Sequence, residues 1–181
     1  MRIISGELKG RRIVAPKKLP VRPTTDRAKE ALFNILMHRF DLHECTVLDL
    51  FSGTGNISYE FASRGGTDIV AVDQNRHCTR FIQETANQLD IPVKVVQTDV
   101  FQFLASPYRS FDIIFADPPY DLDKTSFENL IAEVLNNDWL TKDGQLIVEH
   151  SKQYSFSDHP QCQEERIYGS NKFSFFVPLE R

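Results

Sequence analysis

From residue 46 onward the chain alternates between two kinds of segment. Short apolar, β-rich runs, TVLDLF (46–51), DIVAVD (68–73), VKVVQ (93–97), FDIIFAD (111–117) and GQLIVEH (144–150), are separated by stretches of helical length such as ISYEFASR (57–64), CTRFIQETANQL (78–89) and FENLIAEVLNN (127–137). A strand that is apolar throughout is buried on both faces, and helices between such strands predict a parallel sheet covered on both sides. The tail breaks this rhythm. QEERIYG (163–169) and NKFSFFVPL (171–179) meet at a Gly-Ser-Asn turn with no room for a helix, which predicts an antiparallel hairpin at the end of the sheet. The expected fold is α/β, a seven-stranded and mostly parallel sheet ending in an antiparallel C-terminal hairpin.

The first 45 residues read differently. MRIISG and GRRIVAP carry β-branched residues around a Gly-containing turn, the signature of a small hairpin. KKLPVRPTT is then held extended by Pro16, Pro20 and Pro23. Thr25 or Asp26 can cap a helix whose apolar stripe is Ala28, Ala31, Leu32, Ile35 and Leu36. The division expected is an N-terminal extension over residues 1–25 and one catalytic-sized domain over 26–181.

Charge separates those parts further. Residues 1–30 carry nine basic side chains against three acidic ones, on a chain whose formal net charge is −4. A basic arm on an acidic body suits a polyanion, because phosphate contacts release counterions; a merely solvated tail is the plainer alternative. On the hairpin the candidate contacts are Lys9, Arg11 and Arg12. The 181 residues, 41% hydrophobic and 25% charged, fit a single soluble domain. No apolar run is long enough to cross a membrane, and MRIISGELKG has no signal-peptide core. Three widely spaced cysteines, Cys45, Cys78 and Cys162, give neither a disulfide framework nor a zinc site. The expectation is a cytoplasmic, monomeric protein with reduced thiols and no metal.

In an open α/β sheet, ligands bind beyond the carboxyl ends of the strands, and four such ends carry chemistry here. Asp49-Leu50-Phe51-Ser52-Gly53-Thr54-Gly55 follows the first strand, its glycines allowing close approach of the backbone to a ligand. Asp73 lies 20 residues after Gly53, where a carboxylate can accept from both hydroxyls of a ribose; it could instead cap the next helix. Thr98-Asp99-Val100 offers a carboxylate for an adenine amino group and an apolar slot for the ring, although Asp99 suits a helix cap equally well. Together these ends suggest a nucleoside-containing cofactor. Ser58 stands where a dinucleotide-binding loop would have its third glycine, which disfavours a nicotinamide oxidoreductase.

The fourth end, Asp117-Pro118-Pro119-Tyr120, is the most specific. Two prolines in succession forfeit two amide donors, which ordinary structure avoids. What the turn gains is a rigid stretch of free acceptors. An exocyclic amine is a poor nucleophile because its lone pair is delocalised into the ring. Accepting one hydrogen on Asp117 and the other on a proline-turn carbonyl draws that lone pair outward. Tyr120 supplies a stacking face, worth about 1–3 kcal/mol for a base.

VLDLFSGTGN, IVAVDQN, QTDVFQFL and IIFADPPY resemble, in order, the first four motifs of Rossmann-like class I methyltransferases. MRIISGELKGRRI and RPTTDRAKEALFNIL resemble one family among them, the bacterial ribosomal small subunit methyltransferase D family, which methylates N2 of a guanine in 16S rRNA. The resemblance runs from Met1 to the IVEHS strand and fades over the last 30 residues. It implies S-adenosyl-L-methionine as cofactor, lined by Asp49, Phe51, Gly53, Gly55, Asp73, Gln74, Asp99 and Val100. It implies Asp117, Pro118, Pro119 and Tyr120 at the target base. It also implies a segment from Arg22 to Arg27 folding over the opening to touch cofactor or RNA, and a substrate in the assembled small subunit. This chain departs from the common pattern with FSGTGN in its glycine loop, Asp73 where Glu is often found, and Tyr120 where Phe is frequent. The turn is shared by adenine-N6 enzymes, so an adenine-N6 methyltransferase acting on RNA or DNA is the nearest rival. A DNA enzyme would want a recognition domain for which this chain has no spare length. A protein-glutamine methyltransferase would prefer Asn at position 117. A non-catalytic RNA-binding module of the same fold would be expected to have lost Asp73 or Asp117.

Overall fold

The computed structural model describes residues 1–19 and 24–179. Helix α1 (Asp26–Arg39) leads into an alternating series: β1 (Thr46–Leu50), α2 (Asn56–Ser63), β2 (Asp68–Asp73), α3 (Arg76–Leu89), β3 (Val93–Gln97), α4 (Val100–Leu104), β4 (Phe111–Ala116), α5 (Lys124–Asn136) and β5 (Leu140–Ser151). The tail forms β6 (Cys162–Tyr168) and β7 (Asn171–Phe176). One seven-stranded sheet results, in the order β3-β2-β1-β4-β5-β7-β6. β1 to β5 pair in parallel, while β7 lies antiparallel between β5 and β6. This is the Rossmann-like fold of class I methyltransferases, with the tail hairpin where the sequence placed it. Strand order reverses between β1 and β4, and the cleft that opens there is the expected ligand site.

Alternation along the strands sorts the core into two layers. Val47, Ile69, Ile113, Phe115 and Ile147 face α1, α2 and α3, together with Ile3 and Ile13 of the N-terminal arm. Leu48, Leu50, Val72, Ile114, Ala116, Leu146 and Val148 face α4 and α5. Trp139 belongs to this second layer, fully buried, with its indole N–H donating to the Leu104 carbonyl at 3.1 Å. Among the described residues no helix is long and apolar enough to cross a membrane.

Thr25 caps α1 by accepting the Ala28 amide, as its position in the sequence allows. The helix buries Ala28, Leu32 and Leu36 of the expected stripe but leaves Ala31 and Ile35 at its margin. Lys29 and Phe33 take their place. Lys29 is buried because its ammonium donates to the Arg2 carbonyl at 2.7 Å and to Asn56 at 2.8 Å, beside the Glu60 carboxylate at 3.2 Å.

The arm over residues 1–13 is less regular than two strands. Its limbs meet at one antiparallel bridge, Arg2 with Arg12, flanked by hydrogen bonds between Ile3 and Arg11 and between Met1 and Ile13. The remaining donors of the first limb turn toward α2. The Ile4 and Ser5 amides donate to Glu60, and Glu7 and Leu8 donate to Ser63. Gly6 is what permits this approach. At φ +85°, a Cβ there would lie 1.8 Å from the Ser63 carbonyl oxygen.

Candidate active site

A cleft of about 370 Å³ opens at the carboxyl ends of β1, β2, β3 and β4. Asp49, Phe51, Gly53, Asp73, Gln74, Asp99, Val100, Asp117, Pro118, Pro119 and Tyr120 all line it, so four strand ends far apart in sequence converge on one volume. Gly55 does not line the cleft. It supports the wall as the N-cap of α2 at φ +81°, where a Cβ would come within 2.7 Å of the Tyr59 ring. Thr24, Ser52, Thr54, Asn56, Ile57, Asn75, Cys78 and Phe115 complete the lining.

The loop after β1 is tightly wound. Phe51 has φ +56°, a left-handed conformation that costs a bulky residue of order 1 kcal/mol and tends to persist at functional sites. The following backbone is held by Asp73, whose carboxylate accepts the Gly53 amide at 2.8 Å and the Asn75 amide at 2.8 Å. Asp73 is therefore not the cap of α3. Asn75 fills that role through the His77 and Cys78 amides. Asp99 does cap its helix, accepting the Gln102 amide at 3.0 Å with Oδ1. Among the described residues no donor reaches its Oδ2, so capping and a ligand contact are compatible.

Asp49 is buried on the α1 side of the sheet, with Ser58 donating to it at 2.5 Å. Burial, reinforced by Asp73 and opposed by the Ser58 hydrogen bonds, pushes its carboxyl up to about 7. Asp117 follows β4 directly. Its own amide donates to the Leu50 carbonyl, while among the described residues no donor reaches its carboxylate. Burial first, then the proximity of Glu149 and Asp49, holds the Asp117 carboxyl well above the usual carboxylate range. Pro118 is buried and Pro119 exposed. Tyr120 is 60% exposed, its hydroxyl donating to Asn171 at 3.0 Å.

The lining contains four aspartates and, among the described residues, no lysine, arginine or histidine. Such a surface repels phosphate and favours a ligand carrying positive charge. Together with Ser58 in the place of a third loop glycine, that disfavours the pyrophosphate of a dinucleotide.

The basic residues lie outside this lining. Lys9, Arg11, Arg12 and Arg27 are exposed; Arg22 falls outside the described residues. The arm runs alongside α2, an eight-residue helix about 12 Å long. Its bridged end, Arg2 and Arg12, is tied by Lys29 to Asn56 at the cleft, and its turn is tied to Ser63 at the other end of α2. Motif spacing missed Glu149 and Asn171, while Thr24 and Asn56, which join them in the hydrogen bonds around the mouth, fall within the RPTTDR and VLDLFSGTGN motifs. Glu149 alone left a trace, as a carboxylate near the end of an otherwise apolar strand beside the Asp-Pro-Pro-Tyr strand.

The family model described as conserved hypothetical protein 95 matches residues 1–177. Ribosomal RNA small subunit methyltransferase D of Escherichia coli is 31% identical over 150 residues, covering 82% of this chain and 74% of that one. The protein of the same name from Haemophilus influenzae is 30% identical over 157 residues, covering 84% and 79%. A solved structure, a hypothetical protein of Thermus thermophilus, superposes with a TM-score of 0.84 at 27% identity and covers 99% of both chains. With the family model spanning residues 1–177 and relatives of that name up to 31% identical over most of the chain, the chain belongs to the ribosomal RNA small subunit methyltransferase D family of RNA-methylating enzymes.

Proposed function

We propose that the protein transfers the methyl group of S-adenosyl-L-methionine to the exocyclic N2 of a guanine in 16S rRNA. The observation that carries this reading is the acceptor-rich lining of the cleft: four aspartates and no lysine, arginine or histidine among the described lining residues, with one carboxyl, Asp117, left without a donor. The cofactor is a nucleoside bearing a sulfonium and an ammonium, and no phosphate, which fits that surface. When bound, it supplies an electrophilic methyl group.

The chain's residues divide the remaining work. Asp73 accepts from the ribose hydroxyls while keeping the Gly53 loop in place. Asp99 accepts from the adenine amine, with Val100 and Phe51 against the ring. Asp49 faces the cationic end, and its ionisation is favoured by the charge it meets there. Asp117 and the proline-turn carbonyl accept the two hydrogens of the target amine and localise its lone pair, and Tyr120 stacks on the base. The arm, residues 1–25 with Lys9, Arg11 and Arg12, grips rRNA phosphates beside the domain of residues 26–181. Arg22 and Arg27 add contacts to the RNA. The enzyme works as a cytoplasmic monomer on the small ribosomal subunit.

Methyl transfer measured in parallel on purified small subunits, naked 16S rRNA and duplex DNA tests the assignment. The expected product is N2-methylguanine in small subunits. N6-methyladenine would transfer the reading to the adenine enzymes, and no transfer to any of the three substrates would overturn it.

A further inference from the structure

Glu149 sits near the end of β5, 3% exposed, and points to the same side of the sheet as Asp49. The parallel register pairs Ala116 with Val148, which brings Glu149 alongside Asp117. Glu149 does not line the cofactor cleft. Its two oxygens nevertheless collect the structures around the mouth. Oε2 accepts the Thr24 hydroxyl at 2.7 Å, and the Thr24 carbonyl accepts the Asn56 side chain at 3.1 Å. Oε1 accepts the Asn171 amide at 2.5 Å, and the Asn171 carbonyl oxygen accepts the Tyr120 hydroxyl at 3.0 Å.

Both partners of Glu149 are neutral, and among the described residues it has no ion pair. A buried carboxylate without a cation is costly, but it offers an acceptor oxygen to each of its two donors, where an amide would turn an N–H toward one of them. The carboxylate therefore both ties these two structures together and places a titratable charge beside Asp117. The Tyr120 link also depends on a hydroxyl that the common Phe version of this turn lacks.

We propose that Glu149 is a positioning residue for methyl transfer, holding Tyr120 through Asn171 and the segment entering α1 through Thr24 against the Asp117 turn. The proposal rests on the reading of Asp117 to Tyr120 as the base site. Fixing the Tyr120 ring fixes the plane of a stacked base, and hence the distance of its amine from Asp117. The carboxyls facing Asp117 are Glu149 from β5 and Asp49 from β1; burial raises both, and each, as it ionises, pushes the Asp117 carboxyl toward the protonated form. Glu149 thus also sets how far pH must rise before Asp117 can accept from the amine.

Single-turnover methylation of small ribosomal subunits by the full chain, followed across pH, tests this. Glu149→Gln keeps size and one acceptor but removes the charge. It should slow transfer about ten- to a hundredfold, the scale of a slightly misplaced reactant. It should also move the acid limb of the rate profile to lower pH, with cofactor affinity unchanged. Asn171→Ala should slow transfer comparably while moving the acid limb less, because the carboxyl remains and loses only one of the hydrogen bonds that favour its charge. A wild-type rate and wild-type acid limb in Glu149→Gln would overturn the proposal. Should Glu149→Gln not fold, a wild-type rate in Asn171→Ala would overturn it alone. Asp117→Ala in the same assay separates the two readings: a normal rate there removes the base site itself, whereas a dead Asp117→Ala beside a normal Glu149→Gln removes only this inference.

Discussion

The Asp73 carboxylate and the Gly53 amide, 20 residues apart, meet at 2.8 Å across the ends of β1 and β2. One side chain thereby both shapes the glycine loop and faces the cleft. Replacing Asp73 with alanine removes a ribose acceptor and loosens the loop together, so the effects should compound. Losing charged hydrogen bonds costs about 1.5–3 kcal/mol. Affinity for S-adenosyl-L-methionine should therefore fall roughly ten- to a hundredfold. Calorimetry on Asp73→Ala measures it, and unchanged affinity would take Asp73 off the ribose.

For Asp117 the loss should fall on turnover and spare cofactor binding. Its hydrogen bond to the amine strengthens as the N–C bond forms, so it lowers the barrier selectively. Asp117→Ala should reduce single-turnover methylation at least about a hundredfold. In the wild type, burial, Glu149 and Asp49 hold the Asp117 carboxyl above its usual range. The group becomes a full acceptor only as pH rises through that raised value. The rate should accordingly climb with pH and fall on the acid side, in the wild type and not in the residual activity of Asp117→Ala.

Asp49 makes a prediction about stability. Its carboxyl is raised to about 7 by burial, so the folded chain prefers the protonated form. The sign follows from linkage: that preference stabilises the fold at low pH and is lost as pH climbs from about 4 to about 7. Above that range the cofactor-free protein bears an ionised, buried Asp49 at a cost on the order of 4 kcal/mol. Asp49→Asn should melt at a higher temperature than wild type at pH 8, the advantage shrinking toward pH 4. Scanning calorimetry of both proteins over that range decides the matter. A gap independent of pH would mean that Asp49 is not the titrating group.

Lys29 anchors the arm from inside the core. Burial lowers its proton affinity while the neighbouring Glu60 supports the charge. Methionine at this position would fill the space and leave the Arg2 carbonyl, Asn56 and Glu60 short of a donor. Breaking a buried pair from one side costs about 3–5 kcal/mol. Lys29→Met should lose about that much in urea unfolding, and its first 13 residues should be cleaved first by protease. Wild-type resistance of the arm would show that Ile3 and Ile13 hold it without Lys29.

What the sequence makes legible follows from how each feature is encoded. The apolar runs TVLDLF, DIVAVD and FDIIFAD specify buried parallel strands through a local pattern, and the cleft follows from their order. Asp73, Asp99 and Asp117 are found because a carboxylate ending such a run has a fixed address. Glu149 and Asn171 have none, since their meaning lies in hydrogen bonds spanning 125 and 22 residues. Lys29 is hidden for a similar reason. A lysine inside a helical stripe reads as solvent-facing unless its acceptors, Arg2, Asn56 and Glu60, are known to converge. The arm reads as a hairpin because β-branched residues flank glycine. It forms one bridge because Glu60 and Ser63 take the amides a second strand would have used.

The exposed cations of that arm separate a nucleic-acid enzyme from one acting on a small molecule. Lys9, Arg11 and Arg12 are exposed and, among the described residues, form no ion pair, whereas Arg2 is paired with Asp26. They have no part in the cleft. Arg12 lies at the end of the arm tied to Asn56, and Lys9 beside the turn tied to Ser63, three residues and at most about 10 Å of chain apart. A row of that length can meet more than one phosphate of an RNA strand. Each phosphate contact removed should lower the slope of log affinity against log salt by about 0.7–0.9. Replacing all three with alanine should weaken binding to small subunits, flatten that slope by up to about 2–3, and leave cofactor affinity intact. Arg12→Ala alone should lower the slope by about 0.7–0.9. The competing view is that these side chains only keep the arm soluble. Wild-type affinity and wild-type salt slope in the triple variant would establish that view, and the phosphate grip would then fall to Arg22 and Arg27.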